Sequence, residues 1–517
     1  MMEKLGGEGR TRTLVHLLQR RPVPVAASGL RKIHCVVLVL IVLGSYAQSL
    51  RAQQHTAHAP QPLQALPSAE KVVENYLKAI GGKKRVATIR DATYEWAIQI
   101  KDQQMGFART HVKTPSSLRT EMKFGNGQVV SAANARSAWT RGLDGKLHTL
   151  TDSEAATARL QAVLDASHLL QFKKNNVLAR VISVNDFETT PAYVVEFSLR
   201  NGARLRYLFG QATKLLLKVE DDARKTITRF EDYRAEGNVL EPHRVSTNNG
   251  GTGDLTFVLQ RVTYNSGISD AVFDPPRAAE ALDVPALLRQ VSRNQDELEK
   301  RFTEYSFLQK ETDREISSKG EVKKETVKVF EVFPIANREP VMKLISENGV
   351  ALSGERATKE AKRVEEEFLK AERDKEKDKQ RVDKHRAERE RKKAAKRKEA
   401  DADEDDVDIS QFLKIHEFVS PRQERFRDRD AVVFDFRARP GFKPGNRQED
   451  LISKLVGVAW IDPADKQVMR LEARLAEGFK MGGGLLVNLR PGAALVMEQT
   501  RMVEGVWLPR LAQINLS

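Results

Sequence analysis

The chain has 517 residues, with 86 Lys and Arg against 71 Asp and Glu, 40% hydrophobic residues, 6% aromatic residues and one cysteine. This length predicts two or three domains, and the composition excludes a collagen, a disulfide-rich miniprotein and a polytopic membrane protein. Of the net charge of +15, residues 1–52 hold +6, and the densely charged block 355–408 is neutral. No compact basic patch remains in the rest of the chain, so we expect no nucleic-acid partner.

Residues 1–52 are typical of an export signal. A basic pair precedes the apolar run 35–43, and small residues follow it. A membrane-spanning helix needs about 20 apolar residues, so the run predicts a cleaved signal peptide, with a buried core helix as the alternative. Removal after Ala47 or Ala52 leaves a mature chain with no cysteine and no transmembrane span. We therefore expect a periplasmic protein of the bacterial cell envelope.

The next segment, 53–67, has the composition of a flexible Pro/Gln/Ala spacer, and a first domain is predicted over 68–276. It begins with an amphipathic helix from Ser68 to the glycine pair at 81–82. A second helix is predicted near 152–170. Period-two alternation predicts strands at Tyr94–Ile100, Val129–Ser131, Ala138–Arg141, Tyr193–Leu199, Arg204–Phe209, Leu215–Glu220, Thr226–Tyr233 and Leu255–Tyr264.

A second domain over 281–517 repeats this plan of a helix followed by strands. The sequence around Leu215–Glu220 resembles Gln467–Glu472, and the step Gly237–Pro242 resembles Gly505–Pro509. Only eight residues follow Pro509, so the second domain is expected to lack its last hairpin, through truncation or a frameshift in the gene model, and to leave an exposed sheet edge. Together the two halves predict an α+β fold with antiparallel sheets.

A charged helical insertion, 354–408, interrupts the second domain. Acid-to-base pairs three and four residues apart favour a helix over 354–399 that projects into solvent and is dispensable for stability. Its apolar stripe, which includes Val364 and Phe368, lasts two heptads. A short coiled-coil contact with an envelope protein partner is the alternative interpretation.

Local signatures of catalysis or of metal binding are missing from the sequence. The ten histidines are scattered, and the glycine run at 482–484 lacks the Lys-Ser/Thr of a phosphate loop. A lone histidine such as His168 or His416 is more typical of a hydrogen-bonded structural residue than of a ligand. We therefore expect no enzyme and no cofactor, with a hydrolase as the weakest alternative.

Apolar side chains recur on one face of several predicted strands. They indicate either an ordinary sheet core under two helices or the wall of a cavity for a lipid chain. The candidate cavity residues are Tyr94, Trp96, Ile98, Ile100, Val195, Phe197, Leu199, Leu205, Tyr207 and Phe209.

The first half resembles a known family. It carries Ala79-Ile-Gly-Gly82, the Gly-x-x-Leu-x-Pro-like step at 237–242 with its echo at 505–509, and the closing Val272-Phe-Asp-Pro-Pro276. These features are similar to the outer-membrane lipoprotein-sorting proteins (LolA/LolB-like), with the second half a diverged copy as in two-domain bacterial envelope relatives. The resemblance implies two tandem incomplete antiparallel β-barrels, each lidded by short helices.

The resemblance also implies a function. Proteins of this family carry acyl chains in an apolar interior, so it implies a periplasmic carrier for lipid or lipoprotein acyl chains and brings no catalytic residues. The alternative is a non-catalytic envelope scaffold that keeps the fold and uses the charged helix to bind a partner.

Overall fold

The computed structural model describes residues 9–17, 66–200, 202–248, 254–277, 283–302, 305–317, 321–335, 338–393, 409–481, 487–502 and 505–516. The apolar run 35–43, most of the spacer and the end of the charged insertion lie outside these residues. Within them, no helix combines the length and the apolar character needed to cross a membrane. The helices are α1 (Ala69–Ala79), α2 (Lys83–Val86), α3 (Asp152–Ala166), α4 (Val284–Phe302), α5 (Gly354–Lys393), α6 (Ile409–Ile415) and α7 (Arg447–Ser453).

Strand β1 (Gly9–Leu17) comes first along the chain, and thirteen later strands form the first sheet. Their order in that sheet is β7-β6-β5-β4-β3-β2-β14-β13-β12-β11-β10-β9-β8. They are β2 (Asp91–Ile100), β3 (Gln103–Lys113), β4 (Ser117–Phe124), β5 (Gly127–Ala133), β6 (Ala138–Arg141), β7 (Leu147–Thr149), β8 (Leu178–Phe187), β9 (Thr190–Ser198), β10 (Arg204–Gly210), β11 (Leu216–Asp221), β12 (Thr226–Glu236), β13 (Val239–Asn248) and β14 (Leu255–Tyr264).

The second sheet has eleven strands in the order β18-β17-β16-β15-β1-β26-β25-β22-β21-β20-β19, and β23 pairs with β24 apart from it. The remaining strands are β15 (Phe307–Ile316), β16 (Val322–Ile335), β17 (Arg338–Glu347), β18 (Val350–Ala351), β19 (His416–Phe426), β20 (Arg429–Ala438), β21 (Leu455–Asp462), β22 (Gln467–Leu475), β23 (Phe479–Met481), β24 (Val487–Leu489), β25 (Ala494–Arg501) and β26 (Trp507–Leu516). The predicted class of antiparallel sheets with few helices is confirmed, and both sheets are open.

Helices α1 and α3 cover one face of the first sheet. Helix α1 begins at Ser68, whose side chain accepts a hydrogen bond from the Lys71 backbone N–H at 3.2 Å. It buries Val72, Tyr76 and other apolar residues on one side. Helix α3 contacts both β4, near one end of the strand order, and β10, near the other. The sheet must therefore curve around α3.

The second sheet is buried on both faces at β20. Val432 and Phe434 pack with α4 through Val284 and neighbouring residues. On the opposite face, Val433 packs with Trp460. Consecutive side chains of a strand point to opposite faces, so the unbroken burial from Ala431 to Phe436 means that both faces of β20 are covered there.

Buried arginines of the second sheet join it to the first. Arg422 donates to Glu424 at 2.7 Å and to Asp435 at 3.1 Å, and its side chain is 2% exposed. It also donates to the hydroxyl of Thr149 at 2.5 Å, and the Thr149 backbone N–H donates to Glu424 at 2.7 Å. The Ser137 hydroxyl donates to Asp435 at 2.6 Å. These bonds satisfy charged groups that would otherwise be costly to bury.

The first turns of α5 pack against the second sheet, unlike the expected solvated projection. Val364 is 7% exposed, and the rings of Phe368 and Phe333 lie 5.5 Å apart. Arg363 donates to the backbone carbonyl of Met342 in β17. Val364 and Phe368, which belong to the apolar stripe that suggested a coiled coil, thus pack within this chain.

The last strand of the second sheet also differs from expectation. The sequence predicts an exposed edge there, but β1 pairs with β26 on one side and with β15 on the other. Strand β1 falls within residues 1–52, which have the pattern of an export signal. Only its backbone pairing is described.

Substitution Arg422→Gln should lower the free energy of unfolding by about 3 to 5 kcal/mol, because it leaves buried carboxylates without their cation. Urea denaturation followed by tryptophan fluorescence measures this loss. The matched control is Arg437→Gln, which removes a half-exposed pair with Glu417 and should cost less than about 1 kcal/mol. Equal losses of unfolding free energy in the two variants would show that the buried contacts of Arg422 stabilise the fold no more than the half-exposed pair does.

Truncation of Phe368 to Ala should destabilise the chain by about 1 to 3 kcal/mol, because it removes the ring contact that seats α5 on the sheet. Leu369 is the control, since it lies next in α5 and is 49% exposed; Leu369→Ala should change stability by less than about 0.5 kcal/mol. The midpoints of urea denaturation measure the stability of the two variants. If both midpoints equalled that of the unaltered chain, the contact of α5 with the sheet would not contribute to stability.

Candidate functional site

The interior between the first sheet and its helices gathers most of the predicted cavity residues. Six of the ten are buried in its single large apolar cluster: Tyr94, Val195, Phe197, Leu205, Tyr207 and Phe209. Trp96 and Leu199 pack against that cluster and are partly buried. Ile98 is buried and Ile100 half-buried, and both lie toward the end of β2, outside the cluster as the structure describes it.

Side chains fill this interior. The Phe197 ring lies 5.0 Å from that of Tyr207 and 5.5 Å from that of Phe172, which follows α3. Phe209 lies 5.4 Å from Tyr76 of α1. Tilted and edge-to-face rings at these separations attract one another. The helices therefore close the interior over the strand faces.

A polar cluster lies in the same interior around the carboxylate of Glu241. One of its oxygens, Oε1, accepts hydrogen bonds from the hydroxyls of Tyr94 at 3.0 Å and Tyr264 at 2.8 Å. The Nε2 atom of His168 lies 3.1 Å from the same oxygen. The buried Nδ1 of His168 has no hydrogen-bond partner among the described residues. Glu241 itself is 5% exposed. His168 and Glu241 therefore form a buried ion pair, in which Nδ1 of His168 is left without a hydrogen-bond partner among the described residues.

The backbone after α3 aims His168 at this carboxylate. His168 and Leu169 have φ values of 46° and 67°. Such left-handed conformations cost non-glycine residues roughly 1 kcal/mol or more each. The chain keeps them where they turn the end of α3 back onto the sheet.

Burial and charge act in opposite directions on this pair. Burial alone would lower the pKa of His168, but the charge and hydrogen bond of Glu241 outweigh it, so the pKa is raised. Burial alone would raise the pKa of Glu241, but His168 and the two tyrosine hydroxyls outweigh it, so that pKa is lowered. The pair therefore stabilises the fold while both groups are charged. This contribution is lost as pH rises through the raised pKa of His168 or falls through the lowered pKa of Glu241.

A second carboxylate, that of Asp165 in α3, lies near the same cluster. The hydroxyl of Tyr207 donates to it at 3.5 Å. Burial raises the pKa of Asp165 to about 6. Because the folded state holds this proton more tightly, Asp165 favours folding most at acidic pH, and this advantage declines as pH rises toward 6.

The sequence predicted Tyr94 as a site residue but missed Glu241. The missed residue lies inside the step Gly237–Pro242, next to the proline. Val239 and Glu241 are both buried and two residues apart, so they share the inward face of β13. A carboxylate two residues from a buried apolar residue in the same strand is the signal that could have revealed Glu241.

A separate cleft of about 530 Å³ lies where the end of the first domain meets β19. Arg119, Trp139, Pro276 and Ser420 are among its lining residues. The Arg119 guanidinium lies 5.5 Å from the Trp139 ring centre and donates to the Val272 carbonyl at 2.8 Å. None of the ten predicted residues lines this cleft. Among the described residues, no group of three or more acidic, His or Cys side chains could hold a metal ion.

Comparison with known proteins finds similar solved structures, while no family model and no curated protein matches the chain. A LolA superfamily protein from Nitrosomonas europaea is similar over 41% of this chain and 99% of its own, at 12% identity and a TM-score of 0.30. A putative outer membrane lipoprotein-sorting protein domain from Vibrio parahaemolyticus is similar over 40% and 97%, at 13% identity and a TM-score of 0.28.

A DUF1329 family protein from Desulfovibrio piger is also similar, over 40% of this chain and 96% of its own, at 11% identity and a TM-score of 0.28. Structures described as LolA superfamily and lipoprotein-sorting proteins are thus among those similar to this chain, as the resemblance in the sequence predicts.

The substitution Glu241→Gln should lower the pKa of His168 from its raised position, because burial would then be opposed only by the charge of Asp165. NMR titration of the imidazole measures this directly. Tyr264→Phe is the control: it removes one hydrogen bond but keeps the carboxylate charge, so the pKa of His168 should stay raised. An unchanged pKa in Glu241→Gln would show that no ion pair forms.

Proposed function

We propose that the chain is a non-catalytic binding protein of the bacterial cell envelope whose first domain, 68–276, holds an acyl chain of a lipid or lipoprotein. The observation that supports this is the apolar interior between the curved first sheet and helices α1 and α3. Side chains of the helices and of the strands fill this interior. An extended hydrocarbon chain would replace those side-chain contacts with apolar contacts of its own.

Entry of such a ligand requires α1 or α3 to move away from the sheet. Helix α1 is tied to the sheet where the Leu240 backbone N–H donates to the Ile80 carbonyl at 2.9 Å. Helix α3 is held at its start by Arg470, which donates to Asp152 at 2.7 Å, and just beyond its end by His168. In this proposal the two half-barrel domains act as a carrier, with these helices as lids.

The polar cluster gives the proposed ligand site one polar region. Glu241 is satisfied by three donors, whereas Nδ1 of His168 has no partner among the described residues. A polar group at the end of an acyl chain, such as an ester or carboxyl oxygen, could accept a hydrogen bond from the protonated Nδ1. The rest of the acyl chain would lie along the side chains of Phe197 and Phe209.

A second candidate function is a non-catalytic envelope scaffold. Close ring contacts around Phe197 favour it, because a fully packed core needs no ligand. In this case the outer part of α5, beyond the turns that pack on the sheet, is the proposed surface for a protein partner. Removal of a signal peptide comprising roughly the first 47 to 52 residues remains part of both proposals.

Titration with a fluorescent fatty-acid analogue tests the carrier function. We expect saturable binding to the wild type and about tenfold weaker binding to Phe197→Ala, the factor that follows from losing about 1.4 kcal/mol of contact energy. Leu208→Ala is the matched control: Leu208 is equally buried on neighbouring strand β10, but in a different cluster on the opposite face. It should leave the affinity unchanged.

The outcomes separate the two functions. Saturable binding that Phe197→Ala weakens and Leu208→Ala does not places the ligand in the interior. Absence of saturable binding to the wild type, or equal binding by all three proteins, supports the scaffold and excludes an interior acyl-chain site. Lipid extraction of the native protein followed by mass spectrometry checks the result without an added probe.

A further inference from the structure

The second sheet contains a strand that comes from the opposite end of the chain. Strand β1 pairs antiparallel with β15 over nine residue pairs, from Gly9↔Ile316 to Leu17↔Leu308. On its other side it pairs antiparallel with β26 over six residue pairs, from Arg10↔Leu516 to Val15↔Leu511. Both neighbours therefore depend on β1 for the hydrogen-bonding partners of their facing edges.

The first sheet has the same arrangement built from consecutive strands. There β14 lies between β2 and β13, and β14 is the strand that follows β13 along the chain. In the second sheet β1 lies between β15 and β26. The step at 237–242 begins just before β13 and continues into it, and its echo at 505–509 does the same at β26. Strand β26 therefore corresponds to β13. Strand β1 thus takes the place that β14 has in the first sheet.

The register between β1 and β15 matches opposite charges. Arg10 is paired with Glu315, and Arg12 is paired with Asp313. Opposite charges at directly paired positions of an antiparallel ladder are favourable, and a shift of one residue would remove both pairs. The edge of β15 is therefore suited to a strand with basic residues at alternate positions.

We propose that the place between β15 and β26 is a strand-acceptor site for an extended peptide with basic residues at alternate positions, and that residues 9–17 are its occupant. The strand is separable, since it precedes the apolar run 35–43 that has the pattern of an export signal. Cleavage after that run would remove residues 9–17 from the exported chain and leave the facing edges of β15 and β26 open to a peptide of the same pattern. Such a peptide would be held by backbone pairing, as in peptide recognition by strand addition.

A labelled peptide of sequence Gly9–Leu17 tests this site on the full chain. Thr13 lies in the middle of β1, paired with Thr312 and Gln513, and Thr13→Pro removes a backbone donor and weakens the internal strand. We expect fluorescence anisotropy to show saturable peptide binding to the Thr13→Pro chain and at least tenfold weaker binding to the unaltered chain, whose site is occupied. A peptide carrying Arg10→Glu and Arg12→Glu should bind at least tenfold more weakly than the native peptide.

A second measurement covers the case in which Thr13→Pro fails to fold. A protease site placed within 53–65 of the otherwise unaltered chain allows the link to be cut after folding. We expect the fragment containing β1 to stay bound during gel filtration and to exchange with excess labelled peptide. Immediate loss of the fragment with no uptake of peptide, or equal peptide binding by uncut and cut chains, would overturn the proposal. Neither result bears on acyl-chain binding in the first domain.

Discussion

Buried arginine side chains between the two sheets determine how the rest of the molecule is arranged. A guanidinium removed from water is tolerated only where carboxylates and other acceptors surround it. Arg422 meets this requirement with Glu424, Asp435 and Thr149, and Arg470 meets it with Glu472, Glu498 and Asp152. Thr149 and Asp152 belong to the first domain, just before and at the start of α3. The same contacts that join the sheets therefore fix one end of the helix that covers the first interior.

The other end of α3 depends on a second buried pair, and the two ends together explain why the interior is closed. His168, which with Leu169 has a costly left-handed backbone conformation, is bonded to Glu241 across the interior. Between these ends, Leu160 and Leu164 of α3 are fully buried against the sheet. Opening this face would break ionic contacts at both ends as well as apolar packing. Titration of His168 or Glu241 weakens only one end, because Arg470 stays charged at any ordinary pH.

Local features of the fold could be predicted from the sequence, whereas contacts distant along the chain could not. The capping serine and the glycine pair predicted α1 closely, and alternation predicted strands such as β10. The contact of Arg422 with Thr149 joins residues 273 positions apart, which no periodicity reveals. Glu241 was missed because a single carboxylate in a strand has no local signature. Strand β1 was missed because its segment has the pattern of a leader, and pairing partners cannot be read from a strand alone.

The two sheets differ in which of their faces are covered, and this difference is the reason for placing the proposed acyl-chain site in the first domain. In the second sheet, α4 covers one face at β20, while Asp435 of the opposite face is bonded to Ser137 of the first domain. Both faces there are already used for packing. The echo of the step at 237–242 also has no carboxylate, since Leu508 directly precedes Pro509. Within the described residues, only the first sheet combines an apolar face under helices with a buried polar cluster. In the proposed function, the second domain would therefore affect a ligand indirectly, by holding α3 through Arg470.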